Sequence, residues 1–163
     1  RESLIDSLKE MRPKYQTKNG RTVYGGGGIT PDIYIPYSSK TTSSVQKITG
    51  HNKRPIFNWA SSYTDNYKLN EKLDNYRSFK NSWKLPLAHH IDFLQYLETE
   101  GIETDTVYTD EETEILTLRI KAEIAGIIWG RNEATGVRLT EDNQVQEGIK
   151  YFDEASVFIN HSF

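Results

Sequence analysis

The stretch from Asp110 to Trp129 constrains the fold of this chain most, because its apolar residues form two stripes at helical spacing. Thr109 and Glu112 stand at the spacing of a capping box, which marks the start of a helix. The first stripe is Ile115, Leu118, Ala122, Ala125 and Trp129, and the second is Leu116, Ile120, Ile124 and Ile127. Apolar residues on two sides predict a central helix that other helices pack against from both directions.

Further helices are predicted before and after this central helix. Apolar residues recur at helical spacing over residues 56–67, 87–98 and 145–159, and shorter helices are expected at 73–83 and around 44–48. These segments together predict a helical bundle of about four or five helices.

A β-hairpin is predicted near the start of the chain, where Tyr15–Lys18 and Arg21–Tyr24 flank Asn19-Gly20. This dipeptide is the strongest short-range signal for a two-residue hairpin turn. Such a turn sets Lys18 opposite Arg21, Thr17 opposite Thr22 and Tyr15 opposite Tyr24. The expected fold class is therefore mainly α, with an N-terminal β-hairpin and strand segment followed by the bundle.

Two more elements are expected around this hairpin: a short helix at Glu2–Met11 before it, and a strand at Ile33–Ile35 after the glycine run Gly25–Gly28. A two-stranded hairpin alone is marginal in water, and the later segments offer no further strands to extend the sheet. The sequence therefore predicts that the partners of this ribbon lie in polypeptide preceding Arg1. Pairing of two copies through the ribbon edge is the alternative.

Composition excludes several classes of protein. The 163 residues carry a net charge of −3, and no apolar run approaches the roughly 20 residues that a membrane helix needs. Residues 1–55 hold 10 basic and 4 acidic side chains, but the basic ones are scattered over hairpin and loop positions without a recognition helix, so nucleic-acid binding is not predicted. The absence of cysteine excludes disulfides, thiol nucleophiles and thiolate metal sites.

No catalytic, cofactor or metal site is predicted from the glycine run, the histidines or the acidic residues of this sequence. The run Gly25–Gly28 lacks the Lys-Ser/Thr of a phosphate-binding loop and is followed by Pro31-Asp32, so a phosphate site is not predicted. These glycines are expected to adopt positive φ angles and to let the backbone approach a neighbouring element closely. His89 and Asp92 can share a helix face, but no third metal ligand is evident. The acidic stretch 98–114 does not fit a calcium-binding loop and is explained by helix capping and solvation.

Residues Lys14 to Pro36 resemble the segment that follows the catalytic core in carboxyl-terminal processing proteases, the S41 family of serine endopeptidases. The residues that carry the resemblance are Tyr15-x-Thr17, the run from Asn19 to Ile29 and Pro31-Asp32, with Asp6–Lys9 in a fitting context. The rest of the chain resembles the helical C-terminal region of these enzymes more weakly, at Ile120–Ala125, Trp129-Gly130 and the segment Asp142–Ala155.

The resemblance implies a parent enzyme that cleaves envelope or secreted proteins with a Ser–Lys dyad, in the bacterial periplasm or cell envelope. In the family's order the dyad and the PDZ domain precede the glycine-rich hairpin, so no catalytic position is carried onto this sequence. Residues 1–40 are then the end of the protease core, and residues 41–163 form a helical accessory domain. The expected partners are the upstream core, protein or peptide substrates and a further copy of the chain. The alternative is a non-enzymatic helical interaction module.

Overall fold

The computed structural model describes residues 11–18, 20, 22–26, 33–104 and 108–160 of the chain. The chain divides into two compact units, one of residues Arg1–Tyr37 with Glu147–Phe163 and one of residues Ser38–Gln146. We call these the hairpin unit and the helical unit. The division into domains at residue 40 stays a prediction.

The hairpin unit contains an antiparallel two-stranded sheet of β1 (Lys14–Gln16) and β2 (Thr22–Tyr24). The hairpin itself is confirmed, but its predicted register is wrong by one residue. Tyr15 pairs with Val23, and Lys14 pairs with Tyr24. The cause lies in the turn, where Gly20 has a φ of 75° and its N–H donates to the Thr17 carbonyl at 2.9 Å. A left-handed glycine at this place is typical of a three-residue loop, which shifts the pairing relative to a two-residue turn.

The strand predicted at Ile33–Ile35 does not form, and residues 34–40 have no regular secondary structure. Ile35 instead lies beside a helical segment, since a Cβ added to Gly148 would come 3.8 Å from Ile35 Cδ1. Alternating apolar residues therefore indicate an extended segment here, but they do not supply a neighbouring strand. The helix predicted at Glu2–Met11 lies outside the described residues except for Met11.

Nine α-helices occur in the part of the chain that the structure describes, which confirms the mainly α fold class with a hairpin before the helices. They are α1 (Ser43–Thr49), α2 (Pro55–Asn66), α3 (Leu69–Lys72), α4 (Tyr76–Ser82), α5 (Leu87–Thr99), α6 (Asp110–Ile128), α7 (Arg131–Arg138), α8 (Asn143–Ile149) and α9 (Phe152–Asn160). A short 3-10 turn at Leu139–Glu141 follows α7. No helix among these is both long and apolar enough to cross a lipid bilayer.

The central helix α6 is confirmed. Its capping box is complete, because Thr109 accepts from the Glu112 N–H and the Glu112 side chain accepts from the Thr109 N–H. Residues of both stripes are fully buried: Leu116, Ile120, Ala122, Ile124 and Ala125. The helix packs mainly against α7 and α2. Burial of residues from both stripes fits the central position predicted for this helix.

The bundle has more and shorter helices than the apolar spacing predicts. The expected helix at 145–159 is divided, because Lys150 and Tyr151 donate to carbonyls three residues back and end α8 in a tight turn. Helix α7 was not predicted, since its sequence is polar apart from the buried Ala134 and Val137.

All buried residues of the described chain lie in the helical unit. In the hairpin unit, by contrast, every described residue is exposed or half-buried. Its exposed large apolar residues are Met11, Tyr15, Ile33, Tyr34, Tyr37, Ile149 and Phe152. The described part of the hairpin unit therefore has no buried core of its own.

Candidate functional site

A groove of about 440 Å³ opens on the helical unit, where the end of α1 and the start of α2 face α6 and α7. Its walls combine apolar and charged side chains. The lining residues are Ile48, Thr49, Arg54, Pro55, Ile56, Phe57, Arg119, Glu123 and Arg138. We call it the arginine groove. Its volume lies in the range of small-ligand and short-peptide pockets.

Three guanidinium groups and one carboxylate set the charge of this groove at +2. Arg138 Nη2 donates to Glu123 Oε1 at 2.8 Å, so this pair is internally compensated. Arg119 has no such partner: its Nε is buried and meets no hydrogen-bond acceptor in the described part of the chain. A buried donor without an acceptor is costly, and Arg119 as a whole is half-buried, so the rest of its side chain reaches solvent.

Arg54 enters the groove from an unusual backbone conformation. It is the residue before α2 and has a φ of 50°, in the left-handed region that costs a side-chain-bearing residue about 1–2 kcal/mol. Its guanidinium lies 4.4 Å from the centre of the Phe57 ring, a cation–π contact that fixes its direction. No ion pair to Arg54 occurs among the described residues.

The N-terminus of the twelve-residue helix α2 forms part of the same wall. No side chain caps this end, and Pro55 occupies the first turn, where its missing N–H costs nothing. The first helical hydrogen bond runs from Asn58 N to the Arg54 carbonyl at 3.1 Å, so the N–H groups of Ile56 and Phe57 precede the helical ladder. These N–H groups contribute partial positive charge to the groove, in addition to the charge of its arginine side chains.

His89 and Asp92 form the pair that their spacing predicts, with Nδ1 and Oδ2 3.2 Å apart. The His89 ring packs edge-on against Tyr63 and Tyr67, with ring centres 5.0 and 4.6 Å apart. Among the described residues, no group of three or more His, Asp or Glu side chains could hold a metal ion. His89 lies in an aromatic contact between α5 and the end of α2.

Its neighbour His90 is buried, and its Nδ1 has no hydrogen-bond partner within the described ranges. Burial lowers the pKa of His90 below its ordinary value, because the charged ring would lose its hydration. His90 is thus held neutral inside the bundle.

Lys121 is a half-buried lysine with a lowered pKa, a property that a general base would need. Burial, and secondarily the charge of Lys84, lower its pKa. Its Nζ donates to the carbonyls of Lys80 and Trp83 at 2.8 and 2.7 Å, however, and lies over the Phe79 ring. These contacts assign Lys121 to the end of α4, where a cation satisfies the last carbonyls of the helix.

The described part of the glycine run supports the structural interpretation of its residues. A Cβ on Gly25 would lie 2.5 Å from Tyr15 Cε2, so a larger residue there would require the exposed Tyr15 ring to move. Gly26 has a φ of 73°. Gly27 and Gly28 lie outside the described residues.

Comparison with known families places one match on the helical unit. Residues 51–130 match a family of unknown function, DUF8443. The match begins just before α2 and ends after α6, and it includes Arg54, Arg119 and Glu123 of the arginine groove. Comparisons with curated proteins and with solved structures found no match.

The groove residues carry no signal in the sequence that would have identified them together. Arg119 interrupts the apolar run of α6, and Arg54 precedes a proline, but 64 positions separate the two residues. Only the packing of α2 against α6 brings them to one groove.

Proposed function

We propose that this chain is the C-terminal portion of a carboxyl-terminal processing protease of the S41 type, which cleaves envelope or secreted proteins by a Ser–Lys mechanism. The proposal rests on the likeness of residues 14–36 to the segment after the catalytic core of these enzymes. The helical unit is then an accessory domain that stabilises the core, mediates oligomerisation or gates substrate entry.

The observation that carries the proposal is the lack of buried residues in the described part of the hairpin unit. Strands β1 and β2 make a two-stranded sheet, which is marginally stable unless further strands or a packed face support it. Tyr15 and Tyr37 are 59% and 69% exposed. Docking on a larger sheet, as the end of a protease core would do, would cover these exposed aromatic side chains and extend the two-stranded ribbon.

The proposal assigns no catalytic residue to this chain. Its Ser–Lys dyad lies in the upstream core, so residues 1–163 alone are inactive. The proposed partners are that core, protein or peptide substrates and a further copy of the chain, in the bacterial periplasm or envelope.

Reading the coding sequence ahead of Arg1 tests the proposal first. It must encode a strand-rich region with a Ser and a downstream Lys. The protein that includes this region is then incubated with an unfolded protein substrate, and cleavage is followed by gel electrophoresis. We expect cleavage, and its loss when either the Ser or the Lys is replaced by Ala. An upstream region without both residues contradicts the proposal, and so does cleavage that survives both substitutions.

The second candidate is a non-enzymatic helical interaction module. It is favoured by one observation: the family match over residues 51–130 falls wholly within the helical unit, which holds all the buried residues of the described chain. A full-length protein that lacks the upstream Ser and Lys but binds a protein partner through the helical unit would support this candidate.

A further inference from the structure

We propose that α5 is a self-association surface, through which two copies of this chain pair as antiparallel helices. The surface consists of Leu87, Ile91, Leu94 and Glu98, which we call the α5 stripe. The stripe gives a location to oligomerisation, one of the roles that the proposed function allows the helical unit. It lies wholly within that unit, so its failure would leave the protease proposal standing.

The α5 stripe carries apolar side chains that the fold leaves in solvent. Leu87 is 72% exposed and Ile91 is 47% exposed, and no other large apolar residue in the described part of the helical unit is as exposed. The core takes a different face of α5, formed by His90, Phe93 and Leu97. Single exposed apolar residues are ordinary, whereas neighbours on consecutive turns of one helix indicate a contact surface.

The spacing of the α5 stripe is that of a seam between two helices. Successive members are four, three and four residues apart, the alternation that keeps one line of side chains facing a partner helix in a coiled coil. Leu94 is half-buried and packs against the core, so the stripe is anchored to the packed interior. Helix α5 has 13 residues and is therefore about 20 Å long, which gives the seam three turns of contact.

The charges at the two ends of α5 favour a second copy as the partner. The first turn of α5 holds no acidic residue and no side chain caps it, and the last turn holds no basic residue. Glu98 lies in that last turn, where a negative charge opposes the helix dipole. Lys84 lies three residues before the helix and is exposed, as is Glu98. Neither of the two has an ion-pair partner in the described part of the chain.

Antiparallel pairing about the midpoint of Ile91 and Leu94 places a complementary charge at both ends. Ile91 of each copy then packs on Leu94 of the other, so both copies use the same surface, as a two-fold dimer requires. Glu98 of each copy comes to the start of the other α5, where free N–H groups carry partial positive charge and Lys84 adds a full one. A parallel pair would instead bring the two Glu98 carboxylates together, which is unfavourable.

Sedimentation equilibrium of residues 1–163 over a concentration series tests the association. A single helix pair makes a small contact, so we expect a weak dimer, monomeric at about 5 μM and largely dimeric at about 500 μM. NMR of the ¹⁵N-labelled chain over the same range locates the contact. The amides of Leu87, Ile91 and Leu94 should shift with concentration, and those of Tyr15 and Val23 in the hairpin should not.

Two variants test the apolar part of the stripe. Ile91→Glu is expected to weaken association at least about tenfold, because it puts a charge in the middle of the seam. Leu87→Ser removes the most exposed apolar side chain of the stripe, so it keeps the test open if Ile91→Glu fails to fold. Ser62→Glu is the matched control, since it adds the same charge at an exposed position of α2 and should leave association unchanged.

The direction of pairing is tested through the charges. Glu98→Lys is expected to weaken association, because a positive charge then meets Lys84 and the positive end of the other helix. Adding Lys84→Glu to that variant should recover part of the loss, since opposite charges face each other again. Circular dichroism of each variant verifies that the helical content is unchanged.

Several results would overturn the proposal. One is a chain that stays monomeric at about 500 μM. Another is a dimer that both Ile91→Glu and Leu87→Ser leave intact, since a different surface, such as the hairpin edge, must then hold it. Association that Glu98→Lys leaves unchanged would contradict the antiparallel arrangement. A monomeric longer protein with protected α5 amides would show that upstream polypeptide covers the stripe in place of a second copy.

Discussion

Thr42 donates from its Oγ1 to Glu112 Oε1 at 2.5 Å, and this bond joins the starts of α1 and α6. Thr42 is the capping residue of α1, and Glu112 belongs to the capping box of α6. The other carboxylate oxygen, Oε2, accepts from the Thr109 N–H at 2.9 Å. One buried carboxylate therefore stabilises two helix ends that lie 70 residues apart in sequence.

Glu112→Ala is expected to lower the free energy of unfolding by about 2–3 kcal/mol, because two capping contacts are lost at one buried site. Glu111→Ala is the matched control in the same turn: its side chain is 59% exposed and 3.8 Å from Lys40, so a change within about 0.5 kcal/mol is expected. Urea denaturation of both variants measures the difference. Equal losses would show that the two capping contacts of Glu112 together contribute nothing measurable.

Gly136→Ala is expected to destabilise the helical unit by about 1–3 kcal/mol, although alanine is ordinarily the better helix former. A Cβ at this position would collide with the Tyr76 hydroxyl, which donates to the Glu133 carbonyl at 2.9 Å. Gly148→Ala is the control, since the nearest atom to its Cβ lies 3.8 Å away. Thermal unfolding of both variants gives the comparison.

The collision can be tested separately from helix propensity. Tyr76→Phe removes the hydroxyl, and the next ring atom lies 3.5 Å from the added Cβ, an ordinary contact. Gly136→Ala should therefore cost less in the Tyr76→Phe background than in the natural chain. Additive effects of the two substitutions would rule out the proposed clash.

His90 gives the stability of the chain a pH dependence near neutrality. Burial lowers its folded-state pKa below the unfolded value of about 6.5, so the unfolded chain binds the additional proton. This stabilising contribution is complete above the unfolded pKa and is lost as the pH falls from there toward the folded pKa.

We expect the natural chain to lose more stability between pH 7.5 and pH 5.5 than His90→Leu does, as measured by urea denaturation at each pH. The two proteins differ at position 90 alone, so the difference between their pH dependences isolates His90. A parallel pH dependence of the two proteins would contradict the buried neutral state of His90.

The helical architecture could be predicted largely from the sequence, because apolar spacing and capping residues act locally. Thr109 and Glu112 define the start of α6 through contacts three residues apart, and residues from both predicted stripes are buried. The pair His89 and Asp92 follows from the same helical geometry. Such features need no knowledge of the tertiary fold.

Local sequence patterns could not predict the features that depend on residues distant in the chain. The hairpin register depends on the backbone conformation of Gly20, which Asn-Gly alone does not determine. The missing strand at Ile33–Ile35 depends on whether a neighbour exists. The arginine groove needs α2 and α6 side by side, so neither Arg54 nor Arg119 could be singled out beforehand.

Lys121→Met is expected to lower the free energy of unfolding by about 2–3 kcal/mol, because the carbonyls of Lys80 and Trp83 lose a charged donor inside the bundle. Lys84→Met is the control, since Lys84 is exposed. Removing Lys84 should raise the pKa of Lys121, because a nearby positive charge disappears. A Lys121→Met variant as stable as Lys84→Met would contradict the helix-capping role.

Hydrogen exchange should distinguish the two units of this chain. Strands β1 and β2 contain no buried residue, whereas α6 has buried residues on both sides. The free energy of the local opening that exposes an amide to solvent should therefore be much smaller in the hairpin than in α6. We expect amides of Tyr15 and Val23 to exchange at least about a hundredfold faster than those of Ile120 and Ile124. If the hairpin docks on an upstream protease core, its amides become protected in the longer protein, while those of α6 stay unchanged. Equal protection of hairpin and α6 in residues 1–163 would show that the ribbon is stable without any added sheet, and it would remove the main structural support for the protease proposal.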